Sequence, residues 1–165
     1  MKTSTTLNLL CSLIASHLLA QEPQPANPPQ SETPETSAAP SQLELEQTFI
    51  KTLTKATFNG RWCLVEDGKP SPPKDEKYTI NGVSKLSEDL WLISARIQYG
   101  KVDVSVPIPV QVKWAGDTPV ISITNLAIPG AGTYTARVLI YNNTYAGTWS
   151  GRSHGGLLNG AINHD

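Results

Sequence analysis

The segment from Val102 to Trp114 constrains the fold more than any other part of this chain. Its even-numbered residues are apolar, and the odd-numbered residues between them are polar or proline. Because successive side chains of a β-strand point to opposite faces, this pattern predicts one long strand with a buried face and a solvated face. Such strands are typical of antiparallel sheets, since parallel sheets are usually covered on both faces. We therefore predict an antiparallel all-β domain.

Further segments along the chain have the composition of strands and are separated by turn residues. With the segment above, the predicted strands are Arg61–Glu66, Lys77–Leu86, Asp89–Tyr99, Val102–Trp114, Pro119–Leu126, Thr133–Tyr141, Thr144–Ser150 and Gly156–Asn163. Connections such as Gly100-Lys101 and Asn142-Asn143 are short, so consecutive strands are expected to be neighbours. The sequence thus predicts an up-and-down antiparallel barrel of about eight strands.

One amphipathic helix is predicted ahead of the strands. Ser41 and Glu44 have the spacing of a capping box, which marks a helix start. Apolar residues then recur at helical spacing, and Asn59-Gly60 is predicted to end the helix. This apolar face comprises Leu45, Phe49, Ile50, Leu53 and Ala56. We expect the helix to pack on the sheet as a lid or plug.

Two local features predict irregularities in the sheet. Asn81-Gly82 changes the phase of the alternation in its strand, which indicates a β-bulge. Pro107 and Pro109 remove two N–H donors from one side of their strand, since residues two apart point toward the same neighbour. We therefore expect a barrel that is splayed or incompletely closed near Pro107, or a sandwich with that strand at an edge.

The first 41 residues have the composition of a targeting segment and a spacer. Residues 1–20 combine Lys2 with a mostly apolar run that is too short to span a membrane, which is typical of a secretory signal peptide. Residues 21–41 contain six prolines and no aromatic residue, so they cannot bury enough apolar surface to fold, and we interpret them as a disordered spacer. The sequence predicts a secreted or periplasmic protein with one domain at 42–165, and leaves lipidation of Cys11 open.

The remaining cysteine and the overall charge restrict the chemistry further. Without the signal peptide Cys63 is the single cysteine, so no internal disulfide can form, and its neighbours Trp62 and Leu64 favour a buried thiol over a reactive one. The chain has 13 Lys and Arg against 14 Asp and Glu, a formal net charge of −1. With neither a basic stripe nor a polybasic segment, nucleic acid and anionic lipid surfaces are not expected partners.

Two segments share the pattern aromatic-x-Gly-x-Trp, namely Phe58–Trp62 and Tyr145–Trp149. Glycine lets a ring approach closely, and the tryptophan two positions on faces the same side. Gly60 and Trp62, at the start of the strands, resemble the Gly-x-Trp motif of the lipocalin and calycin superfamily. That resemblance implies an eight-stranded up-and-down barrel holding a small apolar ligand. The chain also looks like small bacterial secreted proteins with similar Gly-rich strands, a likeness that implies no biochemical role.

Aromatic residues on the apolar strand faces are the candidate ligand-binding residues. Barrels of about eight strands lie at the border between an interior filled by side chains and one that holds a single small ligand. The sequence therefore leaves two roles open for these residues, as packed core or as the wall of a cavity. They are Trp62, Trp91, Tyr99, Trp114 and Tyr134.

No set of residues predicts catalysis, a metal site or a cofactor. Gly151–Gly155 matches G-x-S-x-G, but that motif needs a helix after it and partner residues further along, and here a short Gly-rich strand follows. His154 and His164 are too few for an ordinary zinc site. The acidic pairs, such as Asp75-Glu76, lie beside turns, where carboxylates are ordinarily solvated. We predict a non-enzymatic protein.

Two binding functions remain open at this point. The first is binding of a small apolar ligand in or at the mouth of the barrel, as the lipocalin resemblance implies. The second is an interaction module with a filled core, which binds another protein or a cell-envelope component through its sheet face or the strand edge near Pro107. An apolar cavity above about 300 Å³ inside the barrel would favour the first function.

Overall fold

The structure, a computed structural model, describes residues 39–164. The predicted signal peptide at 1–20, most of the predicted spacer at 21–41, and Cys11 lie outside the described residues. Everything below concerns the predicted domain.

Helix α1 spans Gln42–Leu53 and begins at the predicted capping box. The Glu44 carboxylate accepts a hydrogen bond from the Ser41 backbone N–H at 2.7 Å, and the Ser41 hydroxyl accepts one from the Glu44 N–H at 3.4 Å. The prediction that Asn59-Gly60 ends the helix is wrong. Lys55 has a φ of 60°, which breaks the helical path, and the first strand begins at Ala56. Within residues 39–164, no helix is long and apolar enough to cross a membrane.

Eight strands form a closed antiparallel barrel, which confirms the predicted fold class, and a ninth, very short strand lies beside them. The strands are β1 (Ala56–Glu66), β2 (Lys69–Pro70), β3 (Lys74–Lys85), β4 (Leu90–Tyr99), β5 (Val102–Ala115), β6 (Thr118–Ile128), β7 (Gly132–Tyr141), β8 (Thr144–Ser150) and β9 (Gly155–His164). From β3 onward each strand pairs with the next in sequence, and β1 pairs with both β3 and β9. The pairing of β1 with β9 closes the barrel. Strand β2, which the sequence did not predict, pairs only with the end of β1.

Helix α1 closes one end of the barrel, which we call the helix end. The ring of Phe49 packs edge-on against Trp91 and Trp114, with centroids 5.1 and 6.1 Å away. Leu53 is buried beside them. An ion pair of 2.6 Å between Glu46 and Lys85 also ties the helix to β3. As predicted, the helix packs on the strands and plugs the barrel.

The strand irregularities are found where the sequence predicts them. The register of β3 against β4 shifts between Ile80 and Gly82, which is the predicted bulge. Strand β5 pairs with β4 from Val102 to Gln111, but with β6 only from Gln111 to Ala115. The pairing therefore parts over residues 102–110, which include both prolines.

The direction of the backbone donors explains this parting. The Val112 N–H donates to the Asp89 carbonyl at 2.9 Å, on the β4 side. N–H groups of even-numbered β5 residues therefore face β4, and odd-numbered positions face β6. Pro107 and Pro109 lack the donors that pairing with β6 would need.

The position of Cys63 corrects one prediction. The inward positions of β1 are even-numbered, from Phe58 through Gly60 and Trp62, so Cys63 lies on the outer face of the strand. Its side chain is partly exposed. The prediction of a buried thiol is wrong because apolar neighbours in sequence point to the opposite face of a strand.

Candidate functional site

A cavity of about 480 Å³ lies inside the barrel. Its wall is made mainly of aliphatic side chains from the inward positions of β4 to β7, such as Ile97, Ile108 and Ile121. The cavity is larger than the lower bound of about 300 Å³ that is typical of ligand pockets. The barrel interior is therefore hollow between the plugged helix end and the opposite end.

Aromatic side chains gather at the end opposite the helix, which we call the aromatic end. Trp62 packs edge-on against Tyr99 and Trp149, with centroid distances of 6.3 and 5.5 Å. Tyr134 and His154 lie 6.1 and 5.4 Å from the Trp149 ring. All five residues line the cavity. The aromatic end thus forms a ring-lined wall above an aliphatic chamber.

The two aromatic-x-Gly-x-Trp segments lie side by side in space. Strands β1 and β8 both pair with β9 and run in the same direction. Phe58 of the first motif packs on Tyr145 of the second at 5.0 Å, as Trp62 packs on Trp149. The two motifs therefore build one wall of the cavity together.

Gly60 has a specific steric role in this wall. It faces inward between Phe58 and Trp62, and a Cβ placed there would collide with the Tyr145 hydroxyl and the Asn159 carbonyl oxygen. The missing side chain leaves the space through which the Tyr145 hydroxyl reaches across the interior. This close approach is the reason for glycine at the position.

The Tyr145 hydroxyl donates a hydrogen bond to a buried carboxylate, Glu76. The Tyr145 Oη lies 2.9 Å from Glu76 Oε1, and the Tyr78 Oη lies 2.7 Å from Glu76 Oε2. Glu76 is only 6% exposed and is the one carboxylate in the cavity wall formed by the described residues. Burial raises the pKa of Glu76, and the two hydroxyl hydrogen bonds partly oppose that rise.

The tyrosines of the wall are held in their neutral form. Burial is the largest cause that raises the pKa of Tyr78, Tyr145 and Tyr99, and the Glu76 charge adds to it for the first two. Tyr99 also donates to the Tyr134 hydroxyl at 3.2 Å, and Tyr134 donates to the Ala131 carbonyl at 2.7 Å. The hydroxyls of Tyr78, Tyr99 and Tyr145 thus act as hydrogen-bond donors and acceptors at neutral pH, without carrying charge.

Two further polar groups of the wall have no partner within residues 39–164. The indole Nε1 atoms of Trp62 and Trp149 are buried and find no acceptor among these residues. Leaving a buried donor unpaired costs about 1–3 kcal/mol. A tryptophan N–H that is buried usually has an acceptor, so these two unpaired donors are unusual.

The five candidate residues from the sequence divide between the two ends of the barrel. Trp62, Tyr99 and Tyr134 lie in the cavity wall. Trp91 and Trp114 lie instead at the helix end, packed against Phe49 and outside that wall. Alternation places all of them on the inner face, but only the tertiary structure shows which end the helix fills.

Glu76, Tyr78, Tyr145 and Trp149 are residues of the wall that the sequence analysis did not select. Asp75-Glu76 was interpreted as a solvated pair beside a turn. The two carboxylates in fact point to opposite faces, because Asp75 is exposed and Glu76 is buried. The alternation in the sequence does indicate that Glu76 faces inward, because Glu76 is in phase with Tyr78 and Ile80, which face inward.

The segment that matches G-x-S-x-G lies in a connection between two strands. Gly151–Gly155 connects β8 to β9, and the Gly151 N–H donates to the His154 carbonyl at 2.7 Å, as in a hairpin. No group of three or more metal-ligating side chains occurs in the part of the chain that the structure describes.

No family model, no curated protein and no solved structure matches this chain. The fold and the cavity therefore carry the functional argument by themselves.

Proposed function

We propose that this protein binds a small, largely apolar ligand inside the barrel, as lipocalins do, without catalysing a reaction on it. The single observation that carries the proposal is the hollow interior of about 480 Å³. Transfer of apolar ligand surface from water into such a chamber is favourable by about 25 cal/mol per Å².

The region where β5 and β6 part is the proposed route to the chamber. Inward side chains of β5 there, Val104 and Val106, are only partly buried, as are Ile123 and Leu126 on β6. Apolar side chains flanking an unpaired stretch form a path that an apolar molecule can follow without crossing a complete hydrogen-bonded ladder.

The second function left open by the sequence is binding of a macromolecule through the sheet face or the strand edge near Pro107. Addition of a partner strand depends on a continuous row of backbone donors and acceptors. Pro107 and Pro109 interrupt that row on the open side of β5. This edge therefore suits ligand access better than strand addition, and we favour the ligand-binding function.

Filling the cavity tests the proposal. Ala136 lines the chamber, and Ala136→Phe is expected to occupy part of it. Ala127 on β6 is exposed and not in the wall, so Ala127→Phe adds the same group outside. We expect wild type and Ala127→Phe to bind 1-octanol in calorimetric titrations, and Ala136→Phe to bind at least about tenfold more weakly, a loss of about 1.4 kcal/mol.

The proposal is overturned if 1-octanol and a panel of larger lipids and aromatic compounds show no binding to wild type. It is also overturned if the two phenylalanine variants bind equally well, because the ligand would then lie elsewhere. Circular dichroism of both variants shows whether the barrel is retained.

A further inference from the structure

The buried carboxylate of Glu76 indicates the chemical class of the ligand. Glu76 lies on β3, directly across from Tyr99 of β4 in the strand register, and projects into an otherwise aliphatic and aromatic wall. A carboxylate in such surroundings is costly unless a positive charge or several hydrogen bonds compensate it.

The protein supplies Glu76 with two hydroxyl donors and no cation. The Tyr78 and Tyr145 hydroxyls each donate to one carboxylate oxygen. Among the described residues no side-chain nitrogen of Lys, Arg or His lies within 4.0 Å of the Glu76 carboxylate oxygens. An ionised carboxylate has about four acceptor positions, so two remain for a further donor.

The nearest cation on the same face of β3 is directed elsewhere. Lys74, two residues before Glu76, is exposed, and its Nζ lies 5.1 Å from the Trp62 ring centroid. Its charge is thus at the aromatic end and exposed to water, where screening is strong.

Aromatic residues lie beside the carboxylate. Tyr78 and Tyr145 hydrogen-bond to it, their rings lie 6.4 Å apart, and the Phe58 ring lies 5.0 Å from that of Tyr145. Ring faces attract cations, and their attraction is stronger where water is excluded. A buried negative charge beside aromatic rings favours a positive ligand group and disfavours a negative one.

We infer that the ligand is an apolar amine, with its hydrocarbon part in the aliphatic chamber and its ammonium group donating to the free acceptor positions of Glu76. This inference rests on the proposed ligand-binding function and adds the charge of the ligand to it. A primary alkylamine, like the side chain of lysine, is protonated at neutral pH. Hydrogen bonds between charged groups are about twice as strong as neutral ones.

Three compounds of equal chain length test the inference: octylamine, 1-octanol and octanoate. At pH 7, calorimetric titration of the wild-type protein is expected to give a dissociation constant for octylamine about tenfold lower than for 1-octanol. Octanoate is expected to bind most weakly of the three. Binding of 1-octanol equal to or tighter than that of octylamine overturns the inference, and this comparison needs no variant.

Two charge-removing variants locate the effect. Glu76→Gln is expected to weaken octylamine binding about tenfold, to leave 1-octanol within about twofold, and to strengthen octanoate. Lys74→Gln is the matched control, because it removes a charge on the same face two residues away. It is expected to keep the preference for octylamine. An equal loss for octylamine and 1-octanol in Glu76→Gln overturns the inference.

The two proposals fail in different ways. If neither these three compounds nor the panel of larger lipids and aromatic compounds binds wild type, the ligand-binding function itself is refuted. If all three bind without regard to charge, the ligand-binding function stands and the inference about the amine is refuted.

Discussion

Within the barrel wall, the arrangement depends on residues that carry no side chain. Gly60 and Gly160 are directly opposite each other on β1 and β9, and Tyr145 of β8 is opposite Gly160. A Cβ at either glycine would collide with Tyr145 and with backbone atoms of the facing strand. The two glycines thus provide the space in which the Tyr145 ring reaches Glu76.

Gly60→Ala is expected to lower the free energy of unfolding by about 1–3 kcal/mol, because the added methyl group meets the Asn159 carbonyl, which cannot move without disturbing the β1–β9 ladder. Urea denaturation measures the change. Gly82→Ala is the control, since nothing lies within 4 Å of the methyl group that it adds, and we expect a change within about 0.5 kcal/mol. Equal effects of the two substitutions would contradict the steric role of Gly60.

Glu76 links the stability of the barrel to pH. Its pKa is raised in the folded protein above the ordinary value of 4.5, mainly by burial. The groups that face it are the hydroxyls of Tyr78 and Tyr145, and no cation within salt-bridge distance among residues 39–164 offsets the burial. The folded protein therefore holds this proton more tightly than the unfolded chain does.

The sign of the pH dependence follows from this difference. The contribution of Glu76 to stability is fully present below pH 4.5, and it is lost as the pH rises through the pKa of the folded protein. We expect Glu76→Gln to gain stability relative to wild type over that pH range, as measured by urea denaturation at a series of pH values. Glu88→Gln, at an exposed turn, is the control. A difference between wild type and Glu76→Gln that does not change with pH would refute the expectation.

Among the strands, β5 is paired with β4 from Val102 to Gln111, while its side toward β6 is open over the same stretch up to Val110. Pro107 and Pro109 interrupt the N–H groups on that open side. An open strand edge invites pairing with another molecule, and proline at the edge prevents it. The prolines therefore prevent the open edge beside the cavity from pairing with a strand of another protein molecule.

Restoring the two donors tests this role. The double variant Pro107→Val/Pro109→Val is expected to self-associate more than wild type, as measured by light scattering after size-exclusion chromatography, because the open edge then presents a continuous row of donors. Ser105→Val is the matched control, since it adds a β-branched side chain on the same exposed face and restores no donor. Association of both proteins to the same extent would attribute the effect to hydrophobicity instead.

Considered as a whole, the molecule is a barrel with two dissimilar ends. The helix end is packed by Phe49 between Trp91 and Trp114, and the aromatic end carries Trp62 and Trp149 in the cavity wall. The four tryptophans of the chain are thus divided equally between a solid plug and a site. This division makes the position of a ligand measurable.

Two double variants test which end of the barrel holds the ligand. In Trp91→Phe/Trp114→Phe only the cavity tryptophans remain, and we expect 1-octanol to change the tryptophan emission. In Trp62→Phe/Trp149→Phe only the helix-end tryptophans remain, and we expect little change. Circular dichroism verifies the fold of both proteins. The reverse pattern would place the ligand at the helix end and refute the proposed site.

The strand pattern, the capped start of the helix, the bulge at Gly82 and the parting at Pro107 all followed from the sequence. Each depends on neighbours along the chain, on the two-residue period of strands, or on the backbone N–H that proline lacks. The helix end was placed too late, because Asn59-Gly60 has the composition of a stop signal while Lys55 ends the helix through its left-handed backbone.

The cavity and its carboxylate depended on the tertiary structure. Closure brings β1 and β9, far apart in sequence, into one ladder, and so places Tyr145 over Gly60 and within reach of Glu76. Whether the interior is filled depends on which end the helix packs against, and alternation along single strands contains no information on that. Local periodicity thus determined the inner face of every strand, and only the packing of distant strands decided which inward side chains surround a hollow.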